Sequence, residues 1–214
     1  SFIDAWGHFT LIAQNTQGVN LGYFSSKPPH TTQELIARLK AEAKPLNGWI
    51  IGSEYADAFL TDGPLTIAQL DQAFPNTPVF VNNISTLTGI VNSAGLKKLG
   101  FTKDTKVKEG MIPVDPKTGK LTGELIGDPN FEATAKAFGK PSPAIIMDTY
   151  RKAEMIYASN GFTTAQSYQT TPEDIRNMSQ AVERNLIKMD LIALPTYDVV
   201  DQLLAKNKNY PFSQ

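Results

Sequence analysis

The sequence predicts an α/β fold around a parallel sheet, and three observations carry that expectation. Short apolar segments rich in β-branched and aromatic residues alternate with amphipathic stretches. Proline, glycine and helix-capping residues stand at the joints between them. The chain of 214 residues is 41% hydrophobic with a formal charge of −1, a composition that can bury a sizeable core. About five βα units are expected from the alternation.

The opening strand runs through Phe2-Ile-Asp-Ala-Trp-Gly-His8. Strand alternation would send Asp4, Trp6 and His8 to one side and Ile3, Ala5 and Gly7 to the other. A loop follows through Lys27, Pro28 and Pro29, and then a helix in which Thr31 or Thr32 caps Glu34 and Leu35, Ile36 and Leu39 share a face. Asn47-Gly48 ends it, and Gly48-Trp-Ile-Ile-Gly52 reads as a buried strand. Thr66 opens a helix through Leu70 and Phe74 that Pro75 stops. Pro78 to Ser85 is the third strand, and Ile90 to Leu99 reads as a helix closed by Gly100.

Asp115-Pro-Lys-Thr-Gly119, set between apolar arms, signals a hairpin over about 108–127, expected as an insertion over one rim. Pro143 to Ala158 is a long helix with Ile145, Ile146, Tyr150, Met155 and Ile156 available for packing, ended by Asn160-Gly161. Phe162 to Tyr168 is the fourth strand. Thr171-Pro-Glu-Asp174 combines a cap, a first-turn proline and acid in the first turn, so a helix runs from there to Leu186. Met189 to Pro195 is the fifth strand.

Composition removes several function classes. A pI near 6.1 without a basic run argues against a nucleic-acid or anionic-membrane surface. The absence of cysteine excludes disulfides, thiolate metal sites and cysteine nucleophiles, but leaves the compartment open between cytoplasm and periplasm. No apolar run approaches the roughly twenty residues of a spanning helix, and the N-terminus lacks a signal-peptide layout, so a soluble protein is expected. Glycine-rich nucleotide loops, the Gly-x-Ser-x-Gly elbow and His-Glu-x-x-His are all missing.

Several segments together resemble the YtcJ-like branch of the amidohydrolase superfamily, the amidohydrolase 3 type of metal-dependent hydrolase. These are Phe2-Ile-Asp-Ala5, Gly48-Trp-Ile-Ile-Gly52, Leu70-Asp-Gln-Ala-Phe-Pro75 with Pro78-Val-Phe-Val81, Val91-Asn-Ser-Ala-Gly-Leu96, Gly119-Lys-Leu-Thr-Gly-Glu-Leu125 and Gly161-Phe-Thr-Thr-Ala-Gln166. The resemblance implies a TIM-like (β/α)8 barrel with a small β-sandwich, and hydrolysis of an amide or cyclic amide C–N bond by a water that a divalent metal activates, zinc in the first instance. It further implies that residues 1–214 represent the N-terminal portion of such a barrel, a fragment whose sandwich and later strands lie outside this sequence. Exposed sheet edges would then need the rest of the barrel or a second subunit, as in a homodimer.

The departures from the family pattern concern chemistry. Trp6 stands where the first ligand histidine of Phe-Ile-Asp-Ala-His-x-His would be, and an indole has no in-plane lone pair to give a metal. Leu87, Gly127 and Ser167 likewise stand where relatives carry a histidine or an acid. That leaves His8 as the candidate metal ligand, with Asp4 supporting it from behind. Trp6, Asn82, Asn83, Ser85, Gln166 and Tyr168 are the candidates for orienting a small amide substrate, by analogy with barrel chemistry at the C-terminal ends of strands. Each has a plainer alternative: a hydrogen-bonded histidine at the barrel mouth for His8, core filling for Trp6, a buried accepting carboxylate for Asp4, and turn capping for the amides and hydroxyls. Glu54 and Asp57 also follow a strand, although exposed loop acids are commoner, and His30 reads as a loop residue. The rival reading is a regulatory or ligand-binding barrel that has lost its metal centre.

Overall fold

The computed structural model describes residues 2–22, 25, 27–197 and 199–201. In chain order the first elements are β1 (Phe2–Ile3), α1 (Phe9–Asn15), β2 (Val19–Asn20), α2 (Thr32–Glu42), β3 (Ile50–Tyr55), α3 (Ile67–Ala73), β4 (Val79–Asn83), β5 (Thr88–Val91) and α4 (Ser93–Leu99). They are followed by β6 (Gly110–Met111), β7 (Glu124–Gly127), α5 (Asp128–Phe138), α6 (Pro143–Ser159), β8 (Phe162–Thr170), α7 (Pro172–Glu183) and β9 (Asp190–Pro195). The α/β class is therefore observed.

The chain divides into two compact units, one of residues 1–16 and 141–214, the other of residues 17–140. In the second unit every named strand bonds within its own sheet, and both faces of that sheet are covered by helices of the same unit.

In the first unit, β1, β8 and β9 form a parallel sheet in the order β1-β8-β9. Its core is Phe9 and Ala13 of α1, Tyr150, Ala153 and Tyr157 of α6, Ala165 of β8, and Met178 and Ala181 of α7. The face of α6 that packs is set by Tyr150, Ala153 and Tyr157 at helical spacing. Met155, proposed from sequence for packing, is 69% exposed. Thr171 and Asp174 form a reciprocal capping box that starts α7 at Pro172 as the sequence predicts.

The second unit has a six-stranded sheet in the order β2-β3-β4-β5-β7-β6. Pairs β2–β3 and β3–β4 are parallel; β4–β5, β5–β7 and β7–β6 are antiparallel. Alternation along β4 decides which side each residue serves: Val79 and Val81 pack under α2 and α3 with Leu35, Leu39 and Leu70. Phe80 faces the opposite way, with Trp49, Val91, Leu125 and the α5 residues Ala133 and Phe138.

Thr31 caps α2, Thr66 and Gln69 box α3, and Gly100 closes α4 in the left-handed conformation at φ 77°, all as expected. Ile90 and Val91 are strand rather than helix. Asn92 stops the strand, its Oδ1 accepting from Val79 N–H and Gly95 N–H at 2.9 Å each while its Nδ2 donates to the carbonyls of Phe74 and Thr77 at 2.8 Å each. The Asp115 turn forms as predicted, with the carboxylate accepting from Lys117 N–H and the Thr118 hydroxyl. Its arms end as β6 and β7, part of the sheet itself.

The opening strand is cut short. β1 ends at Ile3 because the Trp6 N–H donates to Asp4 Oδ1 at 3.3 Å, a local side-chain turn that competes with further pairing. The strict alternation predicted for Asp4, Trp6 and His8 therefore does not extend past Ile3.

Candidate functional site

Asp4, Trp6 and His8 lie just past the C-terminal end of β1, beside the end of β8, which is where parallel α/β sheets place their chemistry. Three backbone links tie this segment to β8. Asp4 N–H donates to the Thr164 carbonyl (3.0 Å), Tyr168 N–H donates to the Gly7 carbonyl (3.0 Å), and His8 bridges to Ser167. Gly7 is required at the crossing point, since a Cβ there would collide with the Asp4 carboxylate and the Gln166 carbonyl oxygen.

Below the rim the polar groups are engaged with one another. Ser167 is fully buried, and its Oγ lies 2.8 Å from Thr10 Oγ1 and accepts from Thr10 N–H at 3.2 Å. The Tyr157 hydroxyl is held well above the usual phenol range by burial, by its hydrogen bond to the Asp4 carboxylate and by the charge on that carboxylate, with a hydrogen bond from the His8 backbone opposing the shift. Asp4 thus serves as the acceptor that fixes both the Trp6 backbone and the Tyr157 hydroxyl.

Above the rim the rings gather. Trp6 and Tyr168 have centroids 4.7 Å apart with planes inclined by 32°, and His8 meets Tyr168 edge-on at 5.9 Å and 82°. Trp6 remains 65% exposed and Tyr168 37%. The core-filling alternative for Trp6 is not what the structure shows. Gln166 is half-buried on the same strand.

Asn82, Asn83 and Ser85 belong to the second unit, the two asparagines at the end of β4 and Ser85 in the turn that follows. Asn82 is buried and accepts from Asn130 Nδ2 at 3.1 Å, and the same Asn130 amide donates to the Thr86 carbonyl at 2.7 Å. Asn83 Oδ1 accepts from Ser85 N–H at 2.8 Å, and Ser85 Oγ accepts from Leu87 N–H at 3.3 Å. All three support the β4–β5 turn, in which Thr86 takes a φ of 61°. Asn83 also lines a cavity of about 140 Å³ with Tyr55, Asp57, Thr88 and Glu124. Burial raises the Tyr55 phenol there, opposed by a hydrogen bond from Leu65 N–H and reinforced by the carboxylates of Asp57, Glu124 and Asp62. His30 is exposed, its N–H donating to Glu34.

Sequence reasoning missed Gly7, Thr10, Tyr157 and Asn130. A signal existed for Tyr157, because Tyr150, Ala153 and Tyr157 share one face of α6. Thr10 and Asn130 gave none, as their partners are distant in sequence, and Gly7 gave none because its crossing depends on the distant Gln166 carbonyl as well as on Asp4.

Among the described residues no three His, Asp or Glu side chains gather so as to hold a metal. The donor set at the β1 end agrees with this, since indole offers no ligand and the His8 ring is packed against Tyr168. The residues described here do not fit a metal centre. No described helix is long and apolar enough to cross a membrane.

With this geometry in place, the chain can be set beside known proteins. A sequence model described as the amidohydrolase family matches residues 1–213. YtcJ of Bacillus subtilis (strain 168), a protein named as an amidohydrolase without that being proven, is 33% identical over 125 residues, which is 58% of this chain and 23% of YtcJ. A solved but uncharacterized metal-dependent hydrolase from Pyrococcus horikoshii OT3 matches 97% of this chain and 38% of its own, with a TM-score of 0.64 and 18% identity. A second, from Pyrococcus furiosus, matches 97% and 40%, with a TM-score of 0.61 and 18% identity. The fold is therefore of the partial TIM-like hydrolase type expected. The chain matches about two-fifths of the length of those two solved proteins.

Proposed function

We propose that this chain, which belongs to the amidohydrolase family, serves a hydrolase that cleaves a non-peptide C–N bond in a small amide or cyclic amide. The family match along residues 1–213 is the observation that carries the reading. In the net reaction the oxygen of water bonds to the carbonyl carbon, the C–N bond breaks, and the nitrogen departs with a proton from that water. The family resemblance implies a divalent metal for this chemistry, zinc first. Because the described residues do not fit such a centre, no step is derived through one, and His8 is left without the partners a metal needs.

The chain's own residues have defined tasks in this reading. Trp6, backed by Tyr168 of β8, offers an apolar ring at the strand ends, Gln166 of the same strand would supply a polar group for the substrate, and Asp4 keeps the Trp6 backbone in place. A second reading, a regulatory or ligand-binding barrel without a metal centre, is favoured by one observation: Trp6 occupies the place between Asp4 and His8 where a ligand would be needed.

The test is release of amine from a panel of amides and cyclic amides by the purified protein, assayed as isolated, after chelation and after adding zinc, alongside elemental analysis. Amine release from amides of the panel is the expected result, and the chelation and zinc arms read whether a metal held by more than the described residues takes part. Amide binding without amine release, with less than about a tenth of an equivalent of metal, would establish the second reading instead.

A further inference from the structure

We propose that the β1 end is a stacking subsite for a flat aromatic ring, so that the amide acted on here is one carried by an aryl or heteroaryl group. This rests on the amide reading above and specifies its substrate. A single exposed tryptophan would need no explanation. Here the indole is two-thirds exposed, yet it is held at the end of a parallel sheet by a ring behind it and a turn beneath it.

The Tyr168 ring lies against the indole at 4.7 Å, within the range of attractive ring pairs, and Trp6 nevertheless keeps most of its surface open. The Trp6 backbone is pinned by the Asp4 carboxylate, which the buried Tyr157 hydroxyl holds in turn. Gly7 lets the segment cross close over the Gln166 carbonyl, fixing how far Trp6 stands from β8. Such a platform loses little side-chain entropy when a ring settles on it, which is what makes a preformed aromatic surface an effective binding element. The His8 ring stands edge-on to Tyr168, so the ring that backs the indole is itself braced by a third side chain, from the same segment as Trp6. The residue that removes a metal ligand from this place supplies the stacking surface.

The experiment follows the two indole N–H signals of the nitrogen-15-labelled full chain, which has two tryptophans, during titration with benzamide and with cyclohexanecarboxamide. The two probes share the amide and the carbon count and differ in the flat ring. The Trp6 signal is expected to move saturably with benzamide and several-fold more weakly with the saturated amide, while the signal of buried Trp49 stays still. Trp6→Phe should keep the preference, Trp6→Leu should abolish it, and Tyr168→Ala should weaken benzamide by roughly two- to tenfold. Equal response to both amides, or unchanged benzamide affinity in Trp6→Leu, overturns the proposal. The probe comparison on the unaltered chain requires no variant to fold. Benzamide binding without hydrolysis of any amide would sink the hydrolase reading and leave the stacking subsite standing. Hydrolysis at equal rates for aryl and cyclohexyl amides, with a silent Trp6, would do the reverse.

Discussion

The two strand-end regions of this chain use similar residue types to opposite ends. At the end of β4, Asn82, Asn83 and Asn130 spend hydrogen bonds on a turn, and the apolar residues that this turn leaves exposed, Ile84 and Leu87, are aliphatic. At the end of β1, the polar groups Asp4, Thr10, Ser167 and Tyr157 pair beneath the surface, and the aromatic rings are what reaches solvent. Polar residues after a strand are thus a poor guide to a site unless their partners are known. The informative difference is which groups remain unspent once the backbone has been held.

That comparison can be broken at several points. The largest effect is expected from Gly7→Ala, which drives a methyl group into the Asp4 carboxylate and the Gln166 carbonyl. We expect a loss of ~3 kcal/mol or more, seen as a lower melting temperature in the first unit. A melting curve unchanged within a degree would mean the crossing is not tight. Asn92→Ala should come next, because it strands four backbone partners in the buried part of the second unit. About 3 kcal/mol is expected by denaturant unfolding, and a loss below about 1 would show that water replaces the amide.

Tyr157→Phe removes the hydroxyl that Asp4 accepts and should cost about 1 kcal/mol at neutral pH. Its sharper signature is alkaline. The folded-state pKa of Tyr157 is raised by burial first and by Asp4 second, so the folded state binds the proton more tightly than the unfolded chain. The resulting stability is fully present below about pH 10, the ordinary phenol value, and is lost as pH rises above it. Tyr150, raised by burial and by Asp174, contributes in the same direction. Tyr157→Phe should flatten part of the alkaline decline in melting temperature and leave the rest to Tyr150; an unaltered slope would detach Asp4 from this role. The smallest effect is expected for Asn83→Ala, where one exposed turn bond is worth about 0.5 kcal/mol.

Caps and turns were the most legible features of the sequence, because Thr31, Thr66, Gly100, Asp115 and Thr171 act within a few residues of themselves. The two-residue strand β2 carries too little pattern to be read, and α1 was hidden because Phe9-Thr-Leu-Ile looks like strand by propensity. Ile90 and Val91 read as the start of a helix from sequence, whereas they pair with Val81 and Phe80 of β4, and Ile90 also with Glu124 of β7, partners that local pattern does not reveal. At the candidate site the Trp6 replacement was visible in the sequence as chemistry. Its position on Tyr168 was not, since it depends on the Asp4 turn and on the register of β1 with β8.

That register also governs the order of folding. Residues 17–140 are continuous and hold all six strands of their sheet, whereas Phe2 of the first unit must find Phe162 across that whole stretch. Closing so long a loop is slow while it is flexible, and a folded insert shortens the search between its two flanks. The discontinuous unit is therefore expected to mature last. Pulse-labelled hydrogen exchange should protect amides of β3 and β4 before those of β8, and simultaneous protection of both would show that the two units fold as one.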